Sequence, residues 1–547
     1  MNKLTQFFLV LFMICLPATL WADNDKDDDD SRYLAGAVPE VDGRVVFSRE
    51  FSIPGMSQDE IYERMLKWLD GRMAQNKNNS RVVYKDQGVI AATGEEWLVF
   101  SSTALSLDRT WLTYQITVNC QPQKCTMEIE KINVNIKLTL VIKYIAMAVI
   151  IGIIVGIVDT IFGRGLLAIS DFRTANYKYL IPFLPIAGLF IVWMYSYFSK
   201  VSLKGMTLVF EAGQNKRDSI PMALVPLVMI GTWITHLFGG SAGREGVAVQ
   251  IGATLSHYMG RKLKTPDNSR IMLITGMAAG FGGLFQTPLA ATFFAMEVIV
   301  AGYMDYQALL PAITAAFVAS FTSHSLGLEK FAVELNETIN MSDAKTVIII
   351  IILGLAFGIV GRIFSYLLQL LKKIMAEKIV NPYLRIGLVS IPLAIILLLL
   401  WQGRYSGLGT NLISNAFGNG EIFQVDWFLK LLLTILTLSI GFQGGEVTPL
   451  FSIGASLGII LGSFLGISPM LCAALGYAAV FGSATNTLMA PIMLGIEVFG
   501  GNNMLVFVVV CSLAYVVNGN RSIYGAQENI ETIIYYDEKK QPPTGFL

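Results

Sequence analysis

The chain has 547 residues, of which 54% are hydrophobic and 15% charged, with a mean hydropathy of +0.56. Soluble globular chains carry about 25% charged residues, so this composition excludes an ordinary soluble protein and points to the membrane class, with the lipid bilayer as partner. Forty basic residues balance forty acidic ones, which leaves no basic field for nucleic acid, and the three histidines, His236, His257 and His324, show no metal-ligand spacing.

Residues 1–22 read as a secretory signal, cleaved or kept as an anchor. Lys3 supplies the positive start, FFLVLFMICLPATL the apolar core, and Ala18 and Ala22 a small-residue cleavage site. The acidic run DNDKDDDD, residues 23–30, follows as a linker. Residues 31–135 are polar and mixed. GRVVFSREFSI alternates as a strand does, and Ser57-Gln58-Asp59-Glu60 is a capping box opening the helix IYERMLKWLDGRM. RVVYKD, VIAATG, EWLVFSS, TWLTYQITVN and TMEIEKINVNI then predict five strands. Cys120 and Cys125 in CQPQKC either close a small loop in an oxidising compartment or stay as thiols in a reducing one. The stretch predicts a small α+β domain. It resembles a small domain found in envelope proteins of Bacteroidetes, without the usual C-terminal helix, and nothing in it looks catalytic.

Residues 138–530 are almost wholly apolar, and residues 531–547 form a short polar tail. LTLVIKYIAMAVIIGIIVGIVDTIF, YLIPFLPIAGLFIVWMYSYF, VIIIIILGLAFGIVGRIFSYLL and IGLVSIPLAIILLLLW are long segments. Shorter ones, broken by glycine and proline, lie between them. A spanning helix needs about 20 apolar residues, so the short ones cannot all cross alone. Irregular backbone at that depth survives only where it is buried or lines a cavity, and broken helices of this kind mark a site at mid-membrane. An internal repeat agrees. GMAAGFGGLFQTPLAATFFAMEVIVAG and GYAAVFGSATNTLMAPIMLGIEVFGGN align so that Gly282 meets Gly482, Thr287 meets Thr487 and Glu297 meets Glu497. IGATL and IGASL upstream align as well, which lays GREGV (243–247) over GEVTP (445–449). The two glycine-rich elements are expected to face each other, and an inverted pair of halves is the common transporter solution.

The first element is GGSAGREGVAVQIGATL. Its glycines free the backbone to present N–H groups at a helix start, which carries partial positive charge and binds anions. Glu245 is itself an anion at that start. It either gates the site and carries a proton, filling the site when ionised and leaving it when protonated, or merely caps a helix with Arg244. Carboxylates inside a membrane are costly and usually functional. The second element, GFQGGEVTPLFSIGASLG, places Glu446 in the matching position.

GREGV and GGEVTP at this spacing resemble the CLC family of chloride channels and anion/proton antiporters, over the whole stretch 138–530. The resemblance implies an all-α polytopic fold with two inverted repeats and broken helices, behind the small α+β domain. It implies a homodimer with one anion path per subunit, no cofactor and no enzymatic activity. Glu245 falls on the gating and proton-transfer glutamate, Gly246 and Val247 on the amides beside it, Val447 on an amide of the second half and Tyr524 on the anion-coordinating tyrosine.

The departures are informative. Met206, in LKGMTLVFEAG, stands where chloride members have a serine in a GSGIP-like loop. The inward proton glutamate is replaced by Val298, beside Glu297. Glu446, in GGEVTP, replaces the GIFAP-like run of chloride members. Together these resemble the fluoride/proton antiporter branch and imply fluoride export against protons in a bacterial inner membrane. Met206 joins the anion-binding residues, and Glu446 is the coupling glutamate. A chloride channel or chloride/proton antiporter of the same fold is the alternative.

The basic loops, Lys200, Lys204, Lys216 and Arg217, then Arg261, Lys262, Lys264 and Arg270, belong on the cytoplasmic side. Two long helices precede the first loop, which also puts residues 131–139 inside. A working signal peptide would put residues 31–130 outside. The two signals conflict, and the side of the small domain stays open. A membrane enzyme would need a nucleophile–base pair or metal ligands, and no HExxH occurs in the sequence.

Overall fold

A computed structural model of the chain describes residues 40–41, 44–73, 80–103, 106–134, 138–263, 269–335, 337–339, 341–418 and 420–530. The expected leader, the acidic linker and the tail at 531–547 lie outside the described residues. The chain divides into two compact units, Met1–Thr139 and Leu140–Leu547.

The first unit holds β1 (Phe47–Ser52), α1 (Gln58–Met73), β2 (Ser80–Tyr84), β3 (Val89–Thr103), β4 (Ser106–Gln121) and β5 (Lys124–Val134). They form an antiparallel sheet in the order β1-β5-β4-β3-β2. Period-two alternation places Ile90, Ala92, Ile116, Val118 and Cys120 in the core. There they pack with the helical stripe Ile61, Tyr62, Leu69 and Met73.

The capping box forms as expected. Ser57 N–H donates to Glu60 Oε2 at 3.0 Å, and Glu60 N–H to Ser57 Oγ at 3.4 Å. The Ser57 N–H, more than the hydroxyl, holds the Glu60 carboxyl below its usual value of 4.5. Folding thus favours the ionised form, so the cap contributes fully above pH 4.5 and fades as the pH falls below it. Ser57→Ala is expected to cost about 1 kcal/mol of local stability, read as faster amide exchange across Gln58–Met73 in the full-length protein.

VIAATG and EWLVFSS, expected as two strands, are one strand, β3. The glycine between them does not break it. Gly94 lies opposite Tyr114, and a Cβ there would come within 2.9 Å of that ring, so the missing side chain makes room for a cross-strand aromatic. Cys120 and Cys125 stand opposite each other across the β4–β5 turn, both buried and both free thiols, and burial pushes Cys120 up to about 12.

The second unit begins with two apolar helices, α2 (Leu138–Leu180) and α3 (Leu184–Phe198), with a kink at Asn176. Six further helices follow: α4 (Met206–Gly213), α5 (Leu224–Leu237), α6 (Glu245–Lys262), α7 (Arg270–Phe285), α8 (Pro288–Glu297) and α9 (Leu309–Ser325). Two long helices, α10 (Ala344–Lys378) and α11 (Pro382–Leu399), open the second half. A matching series of six then returns as α12 (Thr410–Phe417), α13 (Asp426–Ser439), α14 (Val447–Leu465), α15 (Pro469–Thr485), α16 (Met489–Phe499) and α17 (Met504–Asn518). The lengths repeat in register: α4 and α12 have 8 residues each, and α5 and α13 have 14 each.

The halves are locked by reciprocal contacts. Glu297, at the end of α8, accepts from the Leu488, Met489 and Ala490 N–H groups at the start of α16. Glu497 on α16 accepts from Leu289 and Ala290 at the start of α8. Each carboxylate satisfies amides that a helix start leaves unpaired. Helix pairs also approach alike in both halves. A Cβ on Gly252 would lie 2.0 Å from the Gly276 carbonyl, and one on Gly454 would lie 2.0 Å from the Gly476 carbonyl. Only glycine permits backbones that close. Past α17, β7 (Glu528–Asn529) pairs in parallel with β6 (Val300–Ala301). This anchors the segment that carries Tyr524.

Candidate functional site

Two glycine turns meet where the halves cross. Gly243 and Gly445 exchange N–H···O hydrogen bonds of 2.5 and 2.8 Å in an antiparallel bridge. The two glycine-rich elements therefore do face each other, as the repeat predicted. Each turn opens directly on a helix, α6 at Glu245 and α14 at Val447. Two electropositive helix starts with open amides are thus set side by side.

Glu245 is fully buried. Its Oε2 accepts from the Thr448 N–H at 3.1 Å and from the Thr448 hydroxyl. The carboxylate from the first half therefore lies across the start of the helix of the second half. Its Oε1 accepts no hydrogen bond among the described residues and stands 3.5 Å from Arg244 Nε. This carboxylate is held on one oxygen by the Thr448 amide and hydroxyl and by the Arg244 N–H at 3.3 Å, at a helix start whose donors suit an anion. Gly246 leaves space beside it: a Cβ there would meet Gly445 Cα at 3.5 Å and Glu446 Oε2 at 3.8 Å. The Val247 N–H turns back to the Arg244 carbonyl at 3.1 Å, and Val447 is buried at the first position of α14.

Met206, Glu446 and Tyr524 line a cavity of about 430 Å³ that Glu245, Gly246, Val247 and Val447 do not line. The sequence-predicted residues thus fall into two adjoining groups, one in the cavity and one at the crossing, joined where Glu446 reaches Gly246. Met206 begins α4 after Gly205, whose φ of +51° suits glycine. Tyr524 packs on Phe210, with ring centroids 5.2 Å apart, and on Phe294 at 6.5 Å. Its hydroxyl is buried and uncommitted among the described residues. Gln527 Nε2, donating to the Val298 carbonyl at 2.8 Å, holds that segment against α8. Glu297 is spent on the amides of α16, and Val298 is buried and apolar.

Sequence reasoning missed three residues. Thr448, which receives Glu245, was hidden in GEVTP as an ordinary first-turn residue. Gln250 lines the cavity and donates to the Gly246 carbonyl at 3.2 Å; its place one turn into α6 was a usable signal. Lys430, fully buried on α13, donates to Ser241 Oγ at 2.9 Å and to the Gly407 carbonyl at 2.7 Å. It thereby fastens the loop that leads to Glu245. A lysine inside an apolar helix is the signal that could have found it.

Comparisons with known proteins identify the family. Residues 187–519 match the family described as voltage gated chloride channel, and residues 47–135 match a domain of unknown function with a TBP-like fold. A chloride/fluoride channel protein of Pseudomonas syringae pv. tomato is 32% identical over 393 residues, covering 70% of this chain and 86% of that protein. An H+/Cl− exchange transporter of Vibrio cholerae is 24% identical over 400 residues, covering 68% and 85%. The crystal structure of a CLC-type fluoride/proton antiporter is 49% identical and covers 73% of this chain and all of that one, with a TM-score of 0.70. Among the described residues six segments are long and apolar enough to cross a membrane. The chain therefore belongs to the CLC family of voltage gated chloride channels, as a multi-pass membrane protein built on inverted repeats that acts as an anion/proton antiporter or channel and not as an enzyme.

Proposed function

We propose that this protein exports fluoride in exchange for protons, as a homodimer in a bacterial inner membrane. One observation carries the reading. The carboxylate of Glu245 lies on the Thr448 N–H and hydroxyl, where an arriving anion would have to displace it. When protonated, Glu245 loses its hold on the helix start and leaves the donors to the anion. Anion and proton therefore exchange at one place.

Fluoride fits the donors. It is small and strongly hydrated, and it accepts short, strong hydrogen bonds. A site for it must replace water with N–H and O–H groups. The Thr448 amide and hydroxyl and the free Tyr524 hydroxyl supply them. Met206 stands in the cavity where a chloride site would use a serine, and Glu446 sits beside Gly246. Fluoride is also the base of a weak acid and pairs readily with a proton, so coupling through Glu245 and Glu446 needs no relay at Val298. The 49% identical solved structure, described as a fluoride/proton antiporter, supports the same branch.

Purified protein in liposomes loaded with fluoride or chloride tests this. Fluoride is expected to leave with stoichiometric proton entry, and chloride to be retained. Efflux of chloride alone would assign the protein to chloride. Fluoride efflux without proton entry would make it a channel.

A further inference from the structure

The cavity pairs Glu446 with a lysine that the exchange just described does not use. Lys372, in the last turns of α10, places its Nζ 3.4 Å from Glu446 Oε1. Among the described residues this is the one ion pair that Glu446 makes. Glu446 stands immediately before α14, yet its side chain makes no cap hydrogen bond to that helix. Its other oxygen lies beside Gly246, at the start of α6. A carboxylate there competes with an anion for the electropositive end of α6, as Glu245 does at α14. The ammonium draws it toward the cavity instead. One turn earlier on the same face of α10, Gln369 donates its amide to the Ser522 carbonyl. One face of α10 therefore holds both the Glu446 wall of the cavity and the wall that carries Tyr524.

Lys372 is 44% exposed and Glu446 13%, so the pair sits at a wet mouth. Lys204 lines the same cavity from the basic loop, which places that mouth on the cytoplasmic side. An anion entering from the cytoplasm meets this pair before it reaches Thr448. A bare carboxylate would repel it; a neutralised one does not.

We propose that Lys372 is a positioning residue for anion entry: it holds and neutralises the Glu446 carboxylate, so that the start of α6 stays open to an anion coming from the cavity. The proposal rests on the anion/proton exchange reading above. Initial rates from proteoliposomes, measured over a range of internal anion concentration, test it. Lys372→Met is expected to raise KM about tenfold and to change kcat by less than about threefold, the scale of one uncompensated charge near a partly hydrated path. Lys372→Arg, which keeps the charge, is expected to return KM to within about threefold of the wild-type value. A lysine of merely structural use would lower the amount of active protein, and so kcat, with KM unmoved. An unchanged KM in Lys372→Met, or an arginine variant as impaired as the methionine one, overturns the proposal. The substrate in the assay is whichever of fluoride and chloride the wild-type protein carries. Chloride-only transport would thus overturn the fluoride reading while Lys372 is still decided on chloride, and transport of neither would overturn both.

Discussion

Glu245→Gln is expected to abolish proton-coupled fluoride movement. The substitution keeps shape and leaves an oxygen that can still accept from Thr448, so the fold and the crossing of α6 and α14 should persist. What it removes is a group that can be charged in one step and neutral in the next. The exchange depends on that change, because the ionised carboxylate takes the donors of Thr448 and the neutral one releases them. Loss of a positioned proton carrier acts on the scale of roughly 10²-fold or more. Fluoride efflux and proton uptake should therefore both fall to near background in liposomes, with protein yield and dispersity unchanged. Full retention of coupled exchange would remove Glu245 from the mechanism.

Gly276→Ala is expected to prevent assembly of the membrane unit, although it adds a single methyl group. The new Cβ would lie 2.2 Å from the Gly252 carbonyl oxygen and 2.4 Å from Ser256 Cβ. The first of these is backbone inside a neighbouring helix and cannot rotate away. The cost is on the order of 3 kcal/mol or more, the upper end for overpacking. Gly476→Ala should behave alike, because its Cβ would lie 2.2 Å from the Gly454 carbonyl. Size-exclusion profiles of detergent-solubilised protein would show the loss. Gly71→Ala, with no atom within 4 Å of the added carbon, serves as the neutral comparison.

Much of this was legible in the sequence because glycine and proline leave marks. The breaks before α6 and α14, the repeat that pairs Gly276 with Gly476, and the charged residues at the breaks all follow from what backbone in a bilayer must do. The four long apolar segments appear as α2, α3, α10 and α11. The helix of the small domain was announced by Ser57 and Glu60, three apart. Contacts between distant segments left no such mark. Nothing in GEVTP shows that the Thr448 hydroxyl meets a carboxylate from the other half. Lys372 reads as one more basic residue at a helix end, and only the packing of α10 brings it to Glu446. Gly94 misled in the opposite direction. A glycine between two strand-like runs suggests a turn, yet here it exists for the ring of Tyr114.

The exchange of caps between Glu297 and Glu497 bears on the order in which the chain can be completed. Among the described residues, the amides that open α8 and α16 each take a carboxylate acceptor from the other half. During synthesis the earlier half is therefore left unfinished until the ribosome has passed Glu497, the acceptor for the amides that open α8. Maturation of the two halves is then a single late event, and a chain released before that point would leave the amides that open α8 without their acceptor.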